Sequence, residues 1–184
     1  RTVDGTGSTV LVAAGDQVTD AVALARIQAG CGARVLLGLG SEEAVQAAHA
    51  ALRKTDADRR IEPVLFDRNR PDTLAASLAS VEPGQGLHGA IVLPAFGNWR
   101  FKAPLAEATD ADVDAFLRGE LAGTIGIVRE LSRLWHRLAP AGVSPRIIFM
   151  SNGHDDASNT YADILRAAIE QLIRVWRDES ETQV

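Results

Sequence analysis

The sequence predicts a doubly wound α/β fold, a parallel sheet with helices on both faces. Three observations predict it. Short apolar runs rich in β-branched residues alternate with longer stretches of helical periodicity, in the order βαβαβαβαβα. The apolar runs are continuous rather than alternating, as in strands covered on both faces. Right-handed crossovers then leave doubly wound topologies as the main option.

Each element has a local reason. "TVLVAA" (9–14) reads as the first strand, and 16–29 as a helix closed by Gly30. "ARVLLG" (33–38) is the second strand; Ser41 then caps a helix whose first turn carries Glu42 and Glu43, favourable at the positive end of the helix dipole. "IEPVLF" (61–66) is the third strand, followed by a helix after Pro71, a good first-turn residue. "HGAIVLP" (88–94) is the fourth. Thr109 with Asp112 forms a capping-box start to one long helix over 110–138. "PRIIFMS" (145–151) is the fifth strand, and a last helix covers 158–179. The stretches 79–89 and 139–145 read as loops between elements, so 1–184 is expected to be a single domain, and the start at Arg1 suggests a piece of something larger.

Composition narrows the function. With 46% hydrophobic residues, the chain can fold without disulfides or a structural metal. Cys31 is the one cysteine, so no internal disulfide forms and a reducing cytoplasm is the expected setting. A net charge of −5 argues against nucleic acid and anionic membrane as partners. The apolar runs are strand-sized, too short to span a bilayer, and no targeting segment opens the chain. Of the 19 basic residues only Lys54 and Lys102 are lysines, so lysine chemistry has two candidates.

Ligands of open parallel sheets sit beyond the carboxyl ends of the strands, where strand order reverses. A dinucleotide there wants glycines after strand one, so that backbone amides approach the pyrophosphate at a helix start. The chain offers "AAGDQVTDAV", with Gly15 alone and Asp16 at the helix entrance; an ordinary turn with Asp16 as N-cap is the preferred reading. Gly5 and Gly7 precede the strand and lie at its wrong end. Asp67 could contact an adenine, but a turn carboxylate paired with Arg68 or Arg70 is preferred. Gly15 and Asp67 are thus the weak cofactor-binding candidates.

A second constellation is Ser151 at the end of strand five with Tyr161, the single tyrosine, in the first turn of the next helix. A tyrosine acting as general acid on a carbonyl must come down from a pKa near 10, and a neighbouring ammonium does this. A shift of roughly 3 units is worth about 4 kcal/mol. The position four residues on lies on the same helical face and can deliver that cation, but it holds Leu165. Arg166 points about 100° away. Tyr161 reads more simply as a half-buried tyrosine with one hydrogen-bond partner. "NGHDD" (152–156) gathers His154, Asp155 and Asp156 without metal-ligand spacing, and a solvated turn is preferred. Ser151 lies in no G-x-S-x-G context, and Cys31 reads as small apolar filler.

The two longest helices carry surplus apolar residues: Ile164, Leu165, Ile169, Leu172, Ile173 and Trp176 on the last, and Phe116, Leu117, Leu121, Val128, Leu131 and Trp135 on the one before. Either a partner covers them or the domain's own sheet does.

Taken together, the element order, Ser151 and Tyr161 resemble the short-chain dehydrogenase/reductase family, a Rossmann-like fold. More narrowly, "AGDQ" (14–17), "AIVLPA" (90–95), "ELAGTI" (120–125), "PRIIFMSNG" (145–153) and "AAIEQLIRVWRDE" (167–179) resemble the second reductase-like domain in the aldehyde-reducing half of bifunctional malonyl-CoA reductases. The resemblance implies NADPH as the parent protein's cofactor and reduction of malonyl-CoA, via malonate semialdehyde, to 3-hydroxypropionate. It places Ser151 and Tyr161 at the family's serine and tyrosine. The chain departs at the lysine (Leu165), the glycine-rich loop (only Gly15) and the fourth-helix asparagine, where Glu120 stands. The serine-to-tyrosine gap is short, and the chain stops after the fifth βα unit. These departures imply a degenerate domain that binds no cofactor or metal and packs on a catalytic reductase domain through helices 110–138 and 158–179. The alternatives are an active NADPH-dependent carbonyl reductase and a small-molecule or CoA-ester binding module.

Overall fold

The structure, a computed structural model, describes residues 5–15, 17–52, 55–78, 86–93, 105–138, 143, 145–150 and 160–182. Five strands, Thr9–Ala13 (β1), Arg34–Leu39 (β2), Ile61–Leu65 (β3), Leu87–Val92 (β4) and Arg146–Phe149 (β5), form one sheet. Their order is β3-β2-β1-β4-β5, and every neighbouring pair is parallel. Strand order reverses between β1 and β4, so the crevice expected to hold a ligand opens there.

Side chains alternate between the two sheet faces, and each face has its own core. Leu11, Leu36, Ala90 and Val92 meet Thr73–Ser77 (α3), Gly123–Leu138 (α5) and Thr160–Thr182 (α6) through Leu74, Ile127, Leu131 and Trp176. Val12, Val35, Leu37 and Leu39 meet Val18–Gly30 (α1) and Glu42–Ala51 (α2) through small residues such as Ala21, Ala25 and Ala48. Small residues let α1 and α2 approach the sheet closely. Each fully buried leucine contributes about 1.5–3 kcal/mol. α1 is further tied to the 3₁₀ turn Ala57–Arg60 by Arg26, whose Nε donates to the buried Asp58 at 2.8 Å.

Several local predictions hold. Ser41 Oγ accepts from Ala44 N at 3.1 Å and caps α2. Thr109 and Asp112 form the reciprocal capping box of Asp110–Ala115 (α4). Others do not. α1 starts at Val18 with Gln17 as its N-cap and no side-chain cap bond, while Asp16, the expected cap, lies outside the described residues. The long helix expected over 110–138 is present without a break, but it includes an unexpected π-helical stretch, Phe116–Ala122, between α4 and α5. β5 is half-covered: Arg146 and Ile148 are exposed while Ile147 and Phe149 are part-buried, because β5 is an edge strand covered on one face. α6 runs on to Thr182.

The surplus apolar surface splits between the two explanations. Phe116, Val128, Leu131, Leu134 and Trp135 are buried within the domain, and Trp135 packs on Trp176 with ring centroids 5.9 Å apart. Leu117, Ile125, Ile164 and Val175 stay exposed at 41–47%.

Candidate functional site

The loop after β1 is built tightly. Ala14 N donates to Gly38 O at 2.9 Å, and the carbonyl of the buried Gly15 accepts from Gly40 N at 3.4 Å. Gly15 is not among the glycines with positive φ, which are Gly7, Gly32 and Gly86. The turn therefore exploits none of glycine's conformational freedom, and one glycine is all the bare backbone it offers a pyrophosphate. After β2, Glu42 and Glu43 are exposed in the first turn of α2, as the dipole favours.

After β3 the structure corrects one expectation. Asp67 is half-buried, and its Oδ1 accepts from Asn69 N at 2.9 Å, the local turn bond that short carboxylates favour. It is not bound by Arg68 or Arg70. Arg70 reaches Asp72 at 3.5 Å, on the surface. Arg68 turns inward and is only 4% exposed. Its Nη1 donates to the Leu93 carbonyl just past β4, and its Nη2 donates to Thr124 Oγ1 at 2.9 Å on α5. Burial pushes this guanidinium below its ordinary value, against the attraction of the Glu120 carboxylate. Glu120 is itself fully buried, within the π-helical stretch.

The family resemblance placed Glu120 at the asparagine position, but sequence reasoning missed that Arg68 turns inward onto the same helical segment at Thr124. A carboxylate between Phe116, Leu121 and other apolar residues of one helix was the available signal that some cation lies opposite. That Arg68 packs on this helical segment was not legible, because it is 56 residues before Thr124 in the chain.

Tyr161 is the second residue of α6; its side chain lies outside the described residues, as do Ser151, Lys54, Lys102 and the 152–156 turn. Four residues on, Leu165 is 5% exposed and packs on Phe116, with Ala115 and Ile169 against them. Arg166 points into solvent and pairs with Asp163 at 2.7 Å. The face one turn beyond Tyr161 is therefore hydrocarbon. Cys31 is half-buried with a free thiol. Among the described residues no cluster of three His, Cys, Asp or Glu side chains is placed to hold a metal, and no helix is long and apolar enough to cross a membrane.

The geometry can now be set beside known proteins. No family model and no curated protein matches the chain. Among solved structures, the N-domain of a bacterial malonyl-CoA reductase, crystallised with NADP, is similar at 36% identity and a TM-score of 0.87. That match covers 98% of this chain but 33% of that one, so the chain spans about a third of its length. A short-chain dehydrogenase from Escherichia coli CFT073 complexed with NADPH matches at 18% identity and a TM-score of 0.73, over 99% of this chain and 75% of that one. One from Mycobacterium smegmatis matches at 21% and 0.68, over 97% and 74%. The latter two are likenesses of fold alone. In architecture, then, the chain is a Rossmann-like α/β sheet of the short-chain dehydrogenase/reductase type, spanning five βα units.

Proposed function

We propose that this chain is a non-catalytic, reductase-like domain that supports an NADPH-dependent malonyl-CoA reductase by packing on a catalytic domain. The observation that carries the reading is Leu165, buried against Phe116 on the helical face where a phenol would need its cation. Without an ammonium there, a tyrosine keeps a pKa far above working pH and is a poor proton donor to a developing alkoxide. The lone Gly15 and the buried Glu120 support the same reading. The parent's reaction, malonyl-CoA to malonate semialdehyde to 3-hydroxypropionate, then belongs to another domain. The exposed Leu117, Ile125, Ile164 and Val175 are the docking residues.

The test is a fluorescence titration of the chain with NADPH, using Trp135 and Trp176 as reporters. The reading expects no saturable quenching up to about 1 mM; a micromolar Kd defeats it. A second reading, cofactor binding by this segment, is favoured by the similarity to a domain crystallised with NADP. The same titration separates the two. Turnover of malonate semialdehyde that disappears in Tyr161→Phe would make the segment an active reductase.

A further inference from the structure

The amino ends of the strands, at the opposite end of the sheet from the crevice, hold a second concavity. Arg34 opens β2, Glu62 is the second residue of β3, and Arg59 and Arg60 close the 3₁₀ turn before it. With Gly7, just before β1, and Gly32, between α1 and β2, they line a cavity of about 560 Å³, within the roughly 300–1,000 Å³ of small-molecule sites. Three arginines thus meet one carboxylate there, on a chain whose net charge is −5.

The ordinary structural duties of such arginines are met by other groups. Cations often serve the carbonyls at a helix end, and α1 ends at Gly30, two residues before Gly32. Yet Ile27 O and Gln28 O accept from Cys31 N at 3.2 and 3.1 Å. Ala29 O accepts from Gly32 N at 3.0 Å, and Cys31 O accepts from Gly5 N at 2.6 Å. Backbone amides therefore close that helix end. Carboxylates are scarce as well. Asp58, next to Arg59 in the chain, is buried and held by Arg26 Nε at 2.8 Å and Thr55 N at 2.9 Å. Arg59 reaches Asp56 at 3.8 Å, but both are exposed, and such a pairing is weak in water. Among the described residues no ion pair holds Arg60. Arg34 is paired with Glu62 Oε2 at 2.7 Å, from β2 to β3.

We propose that this cavity binds the phosphate or diphosphate group of a small molecule, with Arg59 and Arg60 as its main cations and Arg34 as a third, restrained by Glu62. Planar guanidinium forks match phosphate oxygens two at a time, and a dianion matches the excess of two positive charges in the lining. The site is separate from the crevice between β1 and β4, so it stands whether or not the chain binds a dinucleotide there.

Inorganic pyrophosphate is the probe, titrated into the full chain at low ionic strength and followed by the amide NMR signals of the glycines. Saturable shifts at Gly7 and Gly32, with a Kd below about 1 mM, are the expected result. Shifts confined to Gly15, Gly38 and Gly40, at the carboxyl ends, overturn the proposal. Arg59→Ala combined with Arg60→Ala should weaken binding roughly tenfold or more. Their Tm should stay within a few degrees of the parent, because both side chains are exposed. If that variant does not fold, each single variant carries the same test. Glu62→Gln should strengthen binding about threefold by removing the competing carboxylate at Arg34. Arg166→Ala, on α6, should change nothing; an equal loss there would mean diffuse charge attraction and overturns the site. Binding indifferent to Arg59, Arg60 and Glu62 alike overturns it too. ADP, titrated in the same way, separates the ligands: tighter binding at Gly7 and Gly32 than pyrophosphate supports a phosphorylated organic molecule, and equal binding supports the inorganic ion.

Discussion

At the scale of single residues, the proposed loss of catalysis is tested first at the position one turn beyond Tyr161. Leu165 fills a small apolar contact with Phe116 and Ile169. Restoring a lysine would place an ammonium in hydrocarbon, and the expected result is a stability loss of roughly 2–5 kcal/mol in urea titration. The proposed non-catalytic role expects no carbonyl reduction to accompany it, since Gly15 and Glu120 are unchanged; reductase activity in Leu165→Lys would overturn that role. The substitution was readable from sequence because the i to i+4 relation is local to one helix. Arg68 shows the opposite. Beside Asp67 in the sequence it looked like a surface partner for that carboxylate, yet Asp67 closes its own turn and Arg68 goes to the core. Contacts between segments 56 residues apart leave no periodic trace.

Elements behaved as their ends and faces dictate. The reciprocal Thr109–Asp112 cap was visible in four residues, and Thr109→Ala should cost about 1 kcal/mol, measured by thermal or urea unfolding. A negligible change would mean that α4 frays in the folded protein already. The π-helical stretch was not visible, because the contacts beside it are with a distant segment: Gly123 lies close to the Arg68 carbonyl and Gly126 against Pro71. Gly126→Ala should therefore destabilise by about 1–3 kcal/mol, although alanine is the better helix former by about 1 kcal/mol. A stabilised Gly126→Ala protein would show that the helix can move off the loop. β5 also departed from its continuous apolar pattern. Its composition matches a covered strand, but its place at the sheet edge leaves Ile148 53% exposed.

For the whole molecule, the separation of two cores by one sheet leaves Leu117, Ile125, Ile164 and Val175, on the last two long helical segments, outside both. Their replacement by glutamate, two at a time, should leave the Tm of the isolated chain within a few degrees of the parent, since none of the four belongs to a buried core. Association with a catalytic reductase domain, followed by analytical ultracentrifugation, should weaken at least tenfold. Undiminished association would move the interface elsewhere. The parallel order β3-β2-β1-β4-β5 places the crevice between β1 and β4, and among the described residues the turn after β1 brings Gly15 to it while Arg68 reaches the end of β4 at the Leu93 carbonyl.

The sequence by itself determined the fold class, the element order, two helix caps and the apolar residue one turn after Tyr161, because periodicity, capping and same-face spacing are relations among near neighbours. Only the tertiary structure decided that Arg68 turns inward to Leu93 and Thr124, that the long helix contains a π-helical stretch, and which apolar side chains remain in water. These depend on which distant segments share a surface, and burial, unlike periodicity, is a property of that shared surface.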